Sequence, residues 1–191
     1  MENPSGKPFD FLVPKNLIVE RSGFFAERKS LGLIDVPYTL MSSWEEDVPR
    51  YLQLLYTGQV VLFSEEETAT AEQKWKAIVE LKLLTSRLED MVSGNLVSDE
   101  VVRTLHQGLL CRAALEAFRN YKIKTLRQIL LDFVVEKLEA GEVPPDLYQF
   151  EKGVALLHEA VTELSKRKQS GEQRPRQNTK EGMKRYHKSL E

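Results

Sequence analysis

The sequence predicts a mainly α-helical bundle, and three observations carry that expectation. Apolar residues recur every three or four positions through residues 67–169, the spacing that gathers them on one side of a helix. Helix-stopping residues fall between those stripes, at Gly58, Gly94, Gly141, Pro144 and Pro145. The connections are short, which favours antiparallel neighbours. The expected architecture is an antiparallel bundle of four to five helices over 67–169, preceded by an irregular, partly extended segment over 1–66 and followed by a disordered basic tail over 170–191.

In the first segment, Pro4, Pro8, Pro14 and Pro37 punctuate the apolar pieces FDFLV, NLIVE, GLIDV and YTLM. Proline fixes φ and lacks an amide hydrogen, so these pieces are expected as extended segments or brief strands. Ser43 with Glu46 fits a capping box, and the first helix is placed from Asp47–Pro49 to Gly58 with Tyr51, Leu52, Leu55 and Tyr56 on its apolar side. Val60–Phe63 reads as a short strand.

A long helix is expected from Thr68 to Ser93, striped by Trp75, Ile78, Leu81, Leu84, Leu88 and Met91 and stopped by Gly94. Ser98, followed by Asp99 and Glu100, is expected to cap a helix running to about Asn120. The next runs from Lys124 to Ala140 ahead of Gly141. The last runs from Asp146 to Gln169 on Leu147, Phe150, Val154, Leu157, Val161 and Leu164. Beyond Ser170 apolar residues are scarce, so that stretch is expected to be disordered or to order on binding.

With 41% apolar and 29% charged residues, the 191-residue chain can bury a core and keep an ordinary polar surface. No apolar run is long enough to cross a bilayer, and the first residues lack the pattern of a secretory signal. The single cysteine, Cys111, precludes a disulfide within the chain and suits the cytoplasm; burial as a small apolar residue is its expected fate.

No constellation reads as catalytic or metal-binding. His106, His158 and His187 are far apart, no phosphate-cradling glycine loop is present, and acid pairs such as Glu65–Glu67, Glu89–Asp90 and Glu136–Glu139 suit solvated faces. The expectation is a protein without enzymatic activity, cofactor or metal.

Charge carries the one functional signal. The net −2 divides into −8 over residues 1–165 (18 Lys+Arg, 26 Asp+Glu) and +6 over 166–191 (9 Lys+Arg, 3 Glu). An acidic body with a basic tail suggests an anionic partner, against the plainer reading of a solvated tail. A second basic group lies at the joint between the 98–120 and 124–140 stripes: Arg112, Arg119, Lys122, Lys124 and Arg127. Arg112 and Arg119 have Glu116 within helical reach, so an intrahelical ion-pair ladder explains them. Lys122, Lys124 and Arg127 have no acid within four residues and flank Tyr121, a pattern suited to phosphates with an aromatic beside them. A bend that faces only water is the alternative.

As a set of helices with basic residues on one side, residues 68–169 resemble the small subunits of class 1 CRISPR effector complexes. They are also similar to the helical C-terminal domain of the large subunit in those complexes. Such small subunits can be translated internally from the large-subunit gene, which matches a start, Met1 through VPKNLIVERSGFF, that reads like mid-protein chain. The resemblance implies a non-catalytic cytoplasmic protein in antiviral defence. Copies would sit side by side among other subunits and touch the guide–target duplex or displaced strand through its backbone.

The leading expectation is thus a helical subunit of a nucleoprotein complex, with Arg112, Arg119, Lys122, Lys124 and Arg127 on DNA or RNA phosphates. The alternative is a protein-binding adaptor or regulatory module without nucleic-acid contact, because Leu126, Ile129, Leu130, Leu131, Phe133, Val134 and Val135 exceed one helix face.

Overall fold

The structure is a computed structural model that describes residues 13–34, 46–63, 68–108, 110, 114–115, 124–171, 174–177 and 179–187. Among these residues the chain is a helical bundle without strands. Its helices are α1 (Lys15–Arg21), α2 (Gly23–Ser30), α3 (Asp47–Thr57), α4 (Ala71–Arg87), α5 (Met91–His106), α6 (Lys124–Glu139), α7 (Asp146–Gln149), α8 (Glu151–Ser170) and α9 (Lys180–Lys184). One core runs through the bundle, with Trp75, Ile78, Leu81, Leu84, Val97, Leu105, Leu126, Leu130, Val134 and Leu156 all buried.

The early segment is more helical than its prolines suggest. NLIVE is helix, because Pro14 stands just before the first turn of α1, where a missing amide hydrogen costs nothing. Ser22 then stops α1 and caps α2, its hydroxyl accepting from the Phe25 N–H. FDFLV and YTLM lie largely outside the described residues. Val60–Phe63 is not a strand; Arg50 reaches across from α3 to donate its Nε–H to the Leu62 carbonyl at 2.9 Å. Helix α3 itself ends where expected, at Gly58 with φ 67°.

The helix expected over 68–93 breaks six residues early. The Glu89 N–H donates to the Ser86 carbonyl and the Asp90 N–H to that of Thr85, while Glu89 takes φ 54°. This is the turn that usually employs glycine at the left-handed position, here built on a glutamate. Asp90 starts α5 at once, accepting from the Ser93 N–H at 2.9 Å. Gly94 and Ser98 therefore lie inside α5, not at a stop and a cap. Both face α4, where buried Lys82 donates from Nζ to the Gly94 carbonyl and, at 2.7 Å, to the Ser98 hydroxyl. The pairs 85–90, 82–94 and 82–98 step along the two helices in opposite senses, so α4 and α5 form an antiparallel hairpin.

Helix α5 ends at His106, short of Asn120; most of residues 109–123, Cys111 included, lies outside the described residues. The expected 146–169 helix is two helices, parted at Phe150, whose backbone is extended (φ −134°, ψ 138°). Leu147 then lies on the first turn of α8, so close that a Cβ on Gly153 would stand 2.4 Å from the Leu147 carbonyl oxygen. Gly153→Ala is expected to cost about 1–3 kcal/mol by overpacking backbone against backbone. Urea unfolding of that variant measures it; a midpoint equal to the parent's rules the tight contact out.

Helix α6 packs chiefly on α8 and on α5. The tail does not read as disordered where it is described: residues 174–177 and 179–187 lie on α6, with Gln177 and Tyr186 buried. That correction bears directly on the basic residues.

Candidate nucleic-acid interface

Arg112, Arg119 and Lys122 of the basic joint fall outside the described residues. Lys124 begins α6 and is exposed. Arg127, one turn on, is half-buried and its guanidinium pairs with the Glu159 carboxylate of α8. The acid absent from its own helix is supplied by a helix 32 residues away in sequence. The joint therefore offers one exposed cation among its described residues, and Arg127 is satisfied internally.

The larger basic group is on the tail, arranged around an acid buried in α6. Asp132 interrupts the run Leu130, Leu131, Phe133, Val134 and is only 1% exposed. A carboxylate taken out of water must be paired and hydrogen-bonded. Arg167 of α8 donates from Nη2 to Oδ1 at 2.5 Å, and Gln128 from Nε2 to the same oxygen at 3.2 Å. Tyr186 donates its hydroxyl to Oδ2 at 2.9 Å. Arg174 and Arg185 complete the ring at 3.7 Å and 3.6 Å.

Two further acids hold the same segment. Glu163 pairs with Arg167 at 3.2 Å and Arg174 at 3.9 Å, and Glu136 accepts from Arg185 Nη2 at 3.4 Å and from the Gln177 N–H. Burial pushes the Glu136 carboxyl above its ordinary range, against the pull of Gln177 and Arg185. Burial also raises the Tyr186 hydroxyl, and the adjacent Asp132 charge adds to it, so the phenol stays a donor. The Gln177 amide spans the seam, donating to the Ile129 carbonyl at 2.7 Å and the Tyr186 oxygen at 2.9 Å. Between tail and bundle is a cleft of about 250 Å³ lined by Gln128, Leu131, Asp132, Glu163, Arg174 and Arg185.

Three of the nine tail cations, Arg167, Arg174 and Arg185, are therefore engaged with acids of α6 and α8. Lys166, Lys168, Arg176, Lys180 and Lys184 are exposed, and Lys188 lies outside the described residues. Lys180 and Lys184 share a side of α9, whose first turn Thr179 caps by accepting from the Gly182 N–H. Sequence reasoning counted these charges but missed their support. The available signals were an aspartate within an apolar run and Met183 and Tyr186 three residues apart in an otherwise polar tail.

A second polar cluster lies at the α4–α5 turn. Asp90, placed on a solvated face from sequence, is buried and accepts from Ser93 Oγ at 2.7 Å and the Tyr51 hydroxyl at 3.2 Å. Arg21 of α1 faces it at 3.6 Å and donates to Ser93 Oγ at 2.9 Å. Burial and the Asp90 charge push the Tyr51 hydroxyl far up. This cluster fastens the N-terminal helices.

The histidines stand apart: His106 meets Phe133 edge to face, His158 is exposed on α8, and His187 bonds Asp99 at 2.8 Å. Among the described residues no group of His, Cys, Asp and Glu could hold a metal, and no helix is long and apolar enough to cross a membrane. Set against known proteins, the chain matches no family model, no curated protein and no solved structure.

Proposed function

We propose that the chain is a non-catalytic helical subunit of a nucleoprotein complex that meets DNA or RNA through its phosphates. The observation that carries this reading is the set of five exposed cations, Lys166 and Lys168 at the end of α8, Arg176 ahead of α9, and Lys180 and Lys184 on it. Cations at the surface release counterions from a polyanion, whereas those already paired with carboxylates release few. The contact surface therefore extends from the joint to the tail, with Arg127 engaged by Glu159 and Lys124 as the joint's exposed described contributor. Binding of this kind reads backbone and not bases. The resemblance to CRISPR small subunits supplies the setting: copies side by side in a multi-subunit complex, along a guide-bound or displaced strand.

Titrating a labelled single strand between 50 and 200 mM salt tests the reading. Substituting Arg176, Lys180 and Lys184 together by alanine is expected to weaken binding of every sequence alike and to reduce the slope of log Kobs on log salt by about 2, at about 0.7 per lost phosphate contact. A slope and affinity equal to the parent's reject it.

Tyr148, Val154 and Val161 support the second reading, an adaptor without nucleic acid. All three are exposed, and Val154, His158, Val161 and Ser165 make an uncharged exposed stripe along α8. A purified chain that binds no nucleic acid and forms a defined homo-oligomer favours it.

A further inference from the structure

We propose that the docked tail is a latch: a single-stranded nucleic acid and the acids Asp132, Glu136 and Glu163 compete for Arg174 and Arg185, and the tail leaves the bundle when the polyanion takes them. This rests on the preceding reading and adds its regulation.

Four observations carry it. The ring around Asp132 has a permanent and a removable part. Arg167 and Gln128 belong to the helices and touch the carboxylate at 2.5 Å and 3.2 Å, so Asp132 keeps two partners with the tail gone. Arg174 and Arg185 stand farther out, at 3.4–3.9 Å from their carboxylates.

The two removable arginines are also reachable. Their side chains are 33% and 21% exposed, and both line the open 250 Å³ cleft, so an incoming phosphate meets a guanidinium before the tail moves. Arg185 is held loosely, since its buried Nε faces Asp132 Oδ2 at 3.6 Å without making a hydrogen bond among the described residues. Guanidinium groups fit phosphate at least as well as carboxylate, through paired N–H donors.

The attachment is mostly polar. Tyr186 and Met183 are the apolar residues that α9 and its flank add to the core; the rest of the seam is ion pairs and the bonds of Gln177. Bonds of that kind exchange readily with another anion, whereas burial of a large apolar face does not. Finally, the chain joins the tail to α8 through Gly171, at φ 66°, where the direction of the backbone turns without strain.

In the docked state Arg174 and Arg185 are neutralised from within and add little to the salt dependence of binding; undocked, they add to it. Two variants undock the tail without changing its charge. Gly182→Ala places a Cβ 2.0 Å from the Arg176 carbonyl oxygen, which breaks the tail's own turn and leaves α4 to α8 untouched. Tyr186→Ala removes the buried anchor.

The experiment uses the full chain and a fluorescein-labelled oligothymidylate, with anisotropy read between 50 and 200 mM salt. Limited trypsin digestion at Arg176, Lys180 and Lys184 reports docking independently. Both variants are expected to be cut faster than the parent and to bind more tightly at the low-salt end, with a slope steeper by about 1.4, two cations at about 0.7 each. Oligothymidylate is also expected to speed chymotryptic cleavage of the parent after Tyr186, the buried anchor that undocking exposes. A parent that binds with a salt-dependent slope, beside variants that are cut faster yet keep that slope, overturns the latch and leaves the nucleic-acid reading standing. Tails equally resistant to trypsin in both variants overturn it too. No binding by any of the three chains at 50 mM salt removes the reading and the latch together.

Discussion

Unfolding of the Asp132→Ala variant is expected to require about 3–5 kcal/mol less free energy than that of the parent. The loss comes less from the bonds removed than from what they leave behind. Arg167 is 6% exposed, and without Asp132 its guanidinium is a buried charge facing Glu163 alone. Tyr186 loses the acceptor for its hydroxyl. Arg174 and Arg185 are exposed enough to turn to water, so they add little. For a chain of this size the expected fall in Tm is about 6–20 °C, read by circular dichroism. Adding Arg167→Met to Asp132→Ala is expected to restore most of the stability, because an apolar pair has no charge to desolvate. If the single variant keeps the parent's midpoint in both heat and urea, Asp132 is hydrated and the account of the tail fails.

Asp90→Ala is expected to cost about 2–4 kcal/mol, from two separable sources. Losing the α5 cap contributes about 0.5–2 kcal/mol. Leaving the buried Tyr51 and Ser93 hydroxyls without their acceptor contributes about 1–3 kcal/mol. Asparagine caps as well as aspartate, so Asp90→Asn is expected to recover the first share but not the pairing with Arg21. Loosened α1 and α2 are expected to appear as faster tryptic cleavage at Arg21. Equal stability of the Ala and Asn variants would show that the cap contributes nothing.

The sequence was most legible where a single period governed a segment. Helices α3 and α6 lie within a residue or two of their expected ends, because stripe and terminal glycine agreed. Boundaries failed where the punctuation was unusual. A glutamate in the left-handed position ends α4, and Gly94, the conventional marker, lies in mid-helix against Lys82. Proline misled in the other direction, since Pro14 precedes a helix it was expected to exclude.

The candidate site was half legible. Counting charges found the basic tail, but partners came from residues 32 to 54 positions away, which no local window contains. Arg127 shows the limit plainly: four residues either side hold no acid, and Glu159 lies across the bundle. The acids found by pairing in sequence were likewise misplaced, as Asp90 is buried and Glu136 braces the tail.

The 54 residues between Asp132 and Tyr186 also set an order of events during synthesis. A ribosome adding about 5–20 residues per second makes the tyrosine about 3–11 s after the aspartate, longer than most helical domains need to fold. The newborn bundle therefore collapses around a carboxylate whose first basic partner, Arg167, arrives 35 residues later and whose last, Arg185, arrives just before Tyr186. Until then water solvates that side of α6. Completion of the polar ring around Asp132 is thus a late step, taken after the helices of the bundle have packed.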